Sequence, residues 1–410
     1  MEKNFIKKNS CSSCGGKNLI QILDLGMMPL ANAFLNEEEL KSEEKKFPLT
    51  VAFCNDCALL QIMDLVNPSV LFKEYDYITS ASAPLIPHFE GMARILTNEF
   101  IKSKNDLFVD VGGNDGTLLA AIKDNCRVLN IDPAENIAPL SRERGVETLS
   151  DFFGTETAKN VIEKYGSAKV VTANNVFAHI ADIRDAFAGA GMLIGEDGIL
   201  VVEVHWVGNL IGDGGFDQIY HEHLCYWSLT ALKNLVNSLG MDVFRVDLIP
   251  FHGQSMRVFI SRNRPVENSV LDLLKKEKEI QLDKKEAFLN FREKVEKNKK
   301  ILVNTLNDLK KNGKKVVAYG APAKGNTLLN YFELTPEIID YATDTTPMKQ
   351  GKFTPGVHIP VFSPEKAKKE VPDYFLLLAW NYADAIMKNE DEFRKNGGKF
   401  IIPVPEMWIV

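Results

Sequence analysis

Four of the chain's six cysteines fall in two tight pairs, Cys11-Ser-Ser-Cys14 and Cys54-Asn-Asp-Cys57. Each Cys-x-x-Cys sets two thiolates on one turn. Two such turns supply the tetrahedral all-sulfur shell that structural zinc prefers. Disulfides are the weaker reading, because neither a signal peptide nor a long apolar run is visible and a reducing, cytoplasmic setting is expected. Residues 1–70 hold only short strand-like pieces (Leu19–Leu23, Leu49–Phe53, Leu59–Ile62). A module this small needs a staple, and the four cysteines provide it. Cys126 and Cys225 stand apart and read as core residues.

Zinc modules of this kind are common in nucleic-acid proteins, but the net charge of −7 argues against one here, since such a protein would show a basic stripe. No stretch reaches the roughly 20 apolar residues of a membrane span. The 410 residues suffice for several domains. From Leu107 the pattern becomes strands alternating with helices, with Leu107–Val111, Arg127–Ile131, Lys169–Ala173 and Gly198–Val204 as strands. This predicts a doubly wound α/β domain over 71–262. Lys- and Glu-rich residues 263–312, with apolar positions spaced by three and four, predict solvent-washed linking helices. A second α/β unit follows over 313–410, with strands at Lys315–Gly320, Ile338–Tyr341 and Tyr374–Ala379.

The first strand runs into Gly112-Gly-Asn114-Asp115-Gly-Thr117. Glycines at such a turn let backbone approach a ligand, and the following helix offers free N–H groups. The full G-x-G-x-x-G spacing is missing, which disfavours a dinucleotide. Acidic residues here suit a cationic ligand such as S-adenosylmethionine. The next strand ends at Asp132-Pro133, where a carboxylate takes ribose hydroxyls. Asp151 and Phe152 are placed to frame an adenine, with plain core as the rival reading of Phe152. Asn174 and His179 fall at the carboxyl end of a further strand, the ligand side of an open sheet.

Tyr220-His221-Glu222-His223 is the densest run of titratable side chains, preceded by Phe216-Asp217 and followed by Tyr226-Trp227. Histidine titrates near neutrality and takes a proton from carbon if positioned and desolvated. The His-x-His spacing also permits a metal pair, although no third ligand is evident nearby. In the second unit, Lys324, Asn326 and Thr327 lie on a strand–turn–helix suited to phosphate. Trp380-Asn381 ends a buried strand on the same side. Arg257 is a further phosphate candidate, with a solvated strand edge as the alternative.

These segments, in this order, resemble the sugar C-methyltransferase family over essentially the whole chain. The resemblance rests on the cysteine pairs, the Gly112 turn, Ala173–His179 and Phe216–His223. His252–Arg257, Gly320–Thr327, Asp344–Lys349, Pro355–Pro360 and Leu378–Asn381 complete it. It implies a zinc module, a central Rossmann-like S-adenosylmethionine domain and a C-terminal Rossmann-like domain that helps hold a nucleotide-linked 4-keto deoxysugar. It implies removal of the C3 proton beside the C4 ketone, then attack of the enolate on the cofactor's methyl group. On that resemblance His223 is the base, Tyr220 and Glu222 support it, and His179, Tyr75, Tyr77 and Ser80 neighbour the sugar. Asp110 and Asp132 stand where the family usually has glutamate, which keeps the charge and shortens the reach. The alternative is an O- or N-methyltransferase of the same build; a zinc-ribbon binding protein with a degenerate enzyme fold is a more distant one. A monomer or a homodimer is expected, with no nucleic-acid or membrane partner.

Overall fold

The computed structural model describes residues 5–67, 71, 78–249 and 255–410. Tyr75, Tyr77 and His252 therefore lie outside the described residues. The N-terminal strands are β1 (Phe5–Lys7), β2 (Leu19–Pro29), β3 (Lys46–Cys54), β4 (Leu60–Ile62) and β5 (Asp64–Val66). The central strands are β6 (Leu107–Val111), β7 (Arg127–Ile131), β8 (Thr148–Leu149), β9 (Val170–Asn174) and β10 (Ile199–His205). They are followed by β11 (Cys225–Tyr226), β12 (Asp242–Ile249) and β13 (Ser255–Ser261). The C-terminal strands are β14 (Val316–Tyr319), β15 (Ala342–Thr343), β16 (Val361–Phe362), β17 (Tyr374–Leu377), β18 (Lys399–Ile402) and β19 (Trp408–Ile409).

The central sheet has the order β12-β13-β10-β9-β6-β7-β8, with β13 antiparallel to both neighbours and β10, β9, β6, β7 and β8 parallel to one another. Every residue of β6 is buried, as a parallel strand covered on both faces requires. Val109 and Val111 pack with Val171, Ala173 and Val202 in the main core. Phe108, facing the other way, joins Phe89, Leu96 and Phe100 of the helix Leu85–Phe100. That helix buries Leu85, Phe89, Met92, Ala93, Leu96 and Phe100, the three-and-four spacing of one apolar face. The strand order reverses between β6 and β9, which places the ligand crevice of the first α/β unit at Gly112 and Asn174.

The second α/β sheet runs β16-β15-β14-β17-β18-β19 and is parallel except at β19. Its reversal lies between β14 and β17, where the helix Ala323–Tyr331 and the Trp380 turn meet. The sequence places a strand at Ile338–Tyr341; the strand begins instead at Ala342, because Asp340 turns back to accept from the Val316 amide and from Lys310.

Residues 263–312 correct the solvent-washed reading. The helix Asn268–Glu279 buries Val270, Leu273 and Glu277; the 27-residue helix Lys285–Lys311 buries Phe288, Phe291, Val295, Asn298, Leu302 and Leu306. Phe288 stacks on Phe53 of β3, centroids 4.7 Å apart, so this helix seats the N-terminal lobe. That lobe is not freestanding either: β11 completes its sheet by pairing with β4, in the order β11-β4-β3-β2. Among the described residues no helix is long and apolar enough to cross a membrane.

Candidate active site

The four cysteine sulfurs converge, with Cys11 Sγ 3.5 Å from Cys57 Sγ, Cys14 Sγ 3.6 Å from Cys54 Sγ, and all within 4.8 Å of one another. The Zn–S distance of ~2.3 Å gives tetrahedral S···S edges of about 3.8 Å, so the donor set fits. Both turns are built alike. The amides of Gly15 and Ala58, each following a second cysteine and each in the left-handed region, donate to the carbonyls of Cys11 and Cys54. Among the described residues no other such cluster of His, Cys, Asp and Glu exists.

At the β6–β9 crevice the backbone turns at Gly112, whose φ is +67°. A Cβ at Gly112 would lie 2.3 Å from Val176, and one at Gly113 would lie 2.7 Å from Asp110 Oδ2. The bare backbone thus leaves the floor open. Burial, with the nearby Asp132 adding to it, pushes the Asp110 carboxyl up to about 7 against the opposing Thr172 hydrogen bond. Asp132 also moves up through burial; its two oxygens accept from the amides of Asn114 and Ala134, each at 2.9 Å. A carboxyl pair left short of charge compensation, with the Asn174 Oδ1 buried and unpartnered among the described residues, fits a ligand that brings hydroxyls and positive charge. Pro133 follows Asp132 at the crevice rim.

Two neighbours of this turn do something other than line it. Asn114 Oδ1 accepts from the Thr79 amide at 2.9 Å. Asp115 is fully buried, and its oxygens accept from the Ser80 amide, Arg144 and the Thr117 amide and hydroxyl. Asp115 therefore has no oxygen left for a ligand; the pair clasps the 79–80 segment against the crevice. Asp151 accepts from the Phe152 amide and the Thr157 hydroxyl, while the Phe152 ring is exposed at the open end of β8.

Beyond β9 and β10 lies a solvent-open cavity lined by His179, His205, His223, Tyr226, Trp206 and Gln218 among others. His223 Nδ1 is 2.9 Å from the Gln218 carbonyl oxygen, which only accepts, so the ring proton sits on Nδ1 and Nε2 carries the lone pair. The Tyr220 hydroxyl donates to that Nε2 at 2.9 Å. Burial first, then the charges of His179 and His205, hold His223 well below the usual histidine range. His179 is likewise lowered by burial, with Nδ1 donating to the Glu222 carbonyl at 2.6 Å. The rings of His179 and His205 lie 5.1 and 6.1 Å from that of His223. The Tyr226 hydroxyl is buried with no partner among the described residues.

Glu222 supports the site differently from the expectation. Its carboxylate turns away to Asn32 of the N-terminal lobe, and its backbone carbonyl is what fixes His179. His221 packs edge-on against Phe47 with Nε2 on the Pro48 carbonyl, whereas His223 faces the cavity. The two imidazoles point apart, which removes the metal-pair reading. Arg257 is neither a solvated edge residue nor free for phosphate. It is buried in an interior strand with its guanidinium on Glu203, whose other oxygen meets His88. Asn326 and Thr327 are buried too; the Asn326 amide donates to the Ala31 carbonyl at 2.7 Å, tying the C-terminal unit to the N-terminal lobe. Lys324, by contrast, stands at the β14–β17 reversal, 4.0 Å over the Trp380 ring and bonded to Asn381. Burial brings its ammonium down to about 8, against the pull of Asp217.

Residues 11–72 match the zinc binding domain family, residues 89–246 a methyltransferase domain family, and residues 250–405 the C-methyltransferase C-terminal domain family. Over 406 residues the chain is 35% identical to the C-methyltransferase NovU of Streptomyces niveus, covering 98% of this chain and 97% of that one. The chain belongs to the C-methyltransferase family. It is an S-adenosylmethionine-dependent enzyme with a structural zinc. Part of the chain is also similar to solved structures. One is the magnesium protoporphyrin IX methyltransferase of Synechocystis with S-adenosylmethionine bound (10% identity, 43% of this chain and 79% of that one, TM-score 0.33). Another is an S-adenosylmethionine-dependent methyltransferase of Anabaena variabilis (13% identity, 42% and 84%, TM-score 0.33). Likenesses this distant do not bear on the assignment.

In this C-methyltransferase the cavity is also lined by His205 and Gln218, which the sequence pattern does not single out, and by Tyr226, which follows the titratable cluster. His205 was within reach, since it is the residue after the predicted Gly198–Val204 strand, at its ligand end. Gln218 acts through its carbonyl, which side-chain type does not announce.

Proposed function

We propose that this C-methyltransferase methylates C3 of a nucleotide-linked 4-keto deoxysugar. The observation that carries the reading is the setting of His223: Nδ1 on the Gln218 carbonyl and Nε2 beside the Tyr220 hydroxyl, in a cavity at the carboxyl ends of β9 and β10. O- and N-methyl acceptors do not need a carbon-bound proton removed; a base held neutral beside tyrosine hydroxyls suits one that does. S-adenosylmethionine, when bound, supplies the electrophilic methyl group. Gly112, Asp132, Pro133 and Asn174 would hold it, with Asp151 and Phe152 at the adenine end.

His223 Nε2 takes the C3 proton as the C–H pair moves into the enolate. Protonated Nε2 is then a donor, so Tyr220 can no longer donate to it. The Tyr220 hydroxyl hydrogen turns to the enolate oxygen at the moment charge appears there, which stabilises it by about 3 kcal/mol if it acts as one oxyanion donor. The Tyr226 hydroxyl, buried at the cavity wall, is the second donor. His179, itself lowered by burial, gives up its own proton readily, which limits the charge it sets against protonation of His223. Ser80 brackets the sugar from the segment held by Asp115. Tyr75 and Tyr77 keep the role the resemblance gives them, as neighbours of the sugar. Lys324, Trp380 and Asn381 hold the diphosphate end, and Asn326 and Thr327 set the helix that presents Lys324.

The test is proton exchange. Incubated in D2O with a 4-keto sugar nucleotide and no cofactor, the enzyme washes one deuterium into C3, and His223→Gln loses the exchange. Methyl transfer to oxygen in the product, with no C3 exchange, refutes the reading.

A further inference from the structure

The turn Phe216-Asp217-Gln218 precedes the base in sequence, yet the C-terminal unit holds it. Phe216 stacks on Phe332 (centroids 5.0 Å, planes 16° apart) and leans on Tyr331 at 5.6 Å. Both lie at the end of the helix whose first turn carries Lys324. Asp217 is fully buried; its Oδ2 accepts from Trp380 Nε1 at 2.6 Å, and its Oδ1 is buried without a partner among the described residues. The next residue, Gln218, offers the carbonyl that fixes the His223 proton on Nδ1. An unbroken set of contacts thus runs from the Lys324 ammonium over the Trp380 ring, through Asp217 and Gln218, to the base.

We propose that Asp217 is a positioning residue that couples an anion at Lys324 to the placement of His223. The inference rests on Lys324 being the diphosphate end of the substrate site. An anion drawn to Lys324 competes with Asp217 for the Lys324 ammonium charge. It therefore changes the field at a fully buried carboxylate, in a dry setting where charge acts most strongly. The Phe216–Gln218 turn responds, and with it the acceptor that orients the imidazole. The coupling makes proton abstraction efficient only when the nucleotide end is seated, which is remote binding applied to the reacting centre.

The test uses the full-length zinc enzyme with histidine-selective 15N labelling, His223 being assigned by its loss in His223→Gln, and inorganic pyrophosphate as the probe. In the parent enzyme pyrophosphate moves the His223 imidazole resonances and their titration. In Asp217→Asn, which keeps an acceptor for Trp380, pyrophosphate still binds but the His223 resonances stay put, and kcat falls on the order of 10- to 100-fold with little change in KM. Trp380→Phe breaks the same chain from the other side and replaces Asp217→Asn if that variant fails to fold. Binding without any response at His223 in the parent overturns the coupling while leaving the Lys324 site intact. Pyrophosphate affinity that is absent, or unchanged in Lys324→Gln, overturns the Lys324 reading and the coupling with it.

Discussion

Exchange of Glu277 for glutamine should destabilise the protein by about 4 kcal/mol, although its neighbours Lys276, Lys278 and Glu279 are ordinary exposed charges. Its carboxylate is fully buried and meets four donors. Oε1 accepts from Trp206 Nε1 (2.7 Å) and the Leu229 amide (2.6 Å); Oε2 accepts from the Thr230 amide (2.8 Å) and hydroxyl (2.6 Å). A carboxylate only accepts, so the match is complete. Glutamine replaces one oxygen with a donor in either amide orientation, which orphans two buried hydrogens at about 1–3 kcal/mol each. Loss of an anion at the start of the helix Leu229–Asn237 adds about 0.5–1 kcal/mol. Rotation of the Thr230 hydroxyl recovers part of this, and about 4 remains. Urea unfolding measures the whole, and amide exchange at Leu229 and Thr230 measures the local part. Thr230→Ala should be harmful alone and neutral or beneficial in Glu277→Gln, because it removes a donor that no longer has an acceptor. A loss under about 1 kcal/mol with both amides still protected refutes the reasoning.

Tyr220→Phe should lower the C3 exchange rate by about 100-fold while substrate affinity holds, because the hydroxyl acts on the enolate rather than the ketone; isotope exchange followed by mass spectrometry reads it. Cys54→Ser should lower bound zinc and the thermal midpoint together, read by metal analysis and calorimetry, since it removes one of four converging sulfurs. With S-adenosylmethionine saturating, so that titration of Asp110 near 7 in the cofactor crevice does not limit the rate, the pH profile should be level from 6.5 to about 8. On the acid side the base must be neutral, and His223 protonates only well below its ordinary 6.5, so the fall comes there. On the alkaline side Lys324 loses its charge above about 8, so sugar-nucleotide affinity weakens toward tenfold per pH unit beyond it, as binding calorimetry across pH would record. Affinity that stays level to pH 9.5 removes Lys324 as the anion's partner.

The features legible in the sequence are those that depend on one segment at a time. The two Cys-x-x-Cys turns, the glycine turn after Leu107–Val111 and the titratable cluster Tyr220–His223 each show in local spacing, while the choice of His223 as base comes from the resemblance. What stayed hidden depends on a distant partner. Glu277 reads as one more charge in a Lys- and Glu-rich helix, because nothing nearby announces Leu229 and Thr230. Asp115 and Asn326 look like ligands for the reason that makes them good clasps: each is a short polar group beside a turn, and only packing decides whether it meets a ligand, Ser80 or Ala31. The same distinction recasts the zinc lobe. Cys54 and Cys57 close the turn between β3 and β4, and β4 pairs with β11 immediately after the base. The Ile62 amide holds the Leu224 carbonyl, Pro48 holds His221 and Asn32 holds Glu222. The segment 216–226 is therefore gripped at its start by the C-terminal unit and at its end by the zinc lobe, with His223 between the two grips. A staple distant from the methyl acceptor in sequence thus reaches the base through one short strand pair. Zinc needs no open coordination position to matter for turnover; it needs only to keep β4 where β11 can find it.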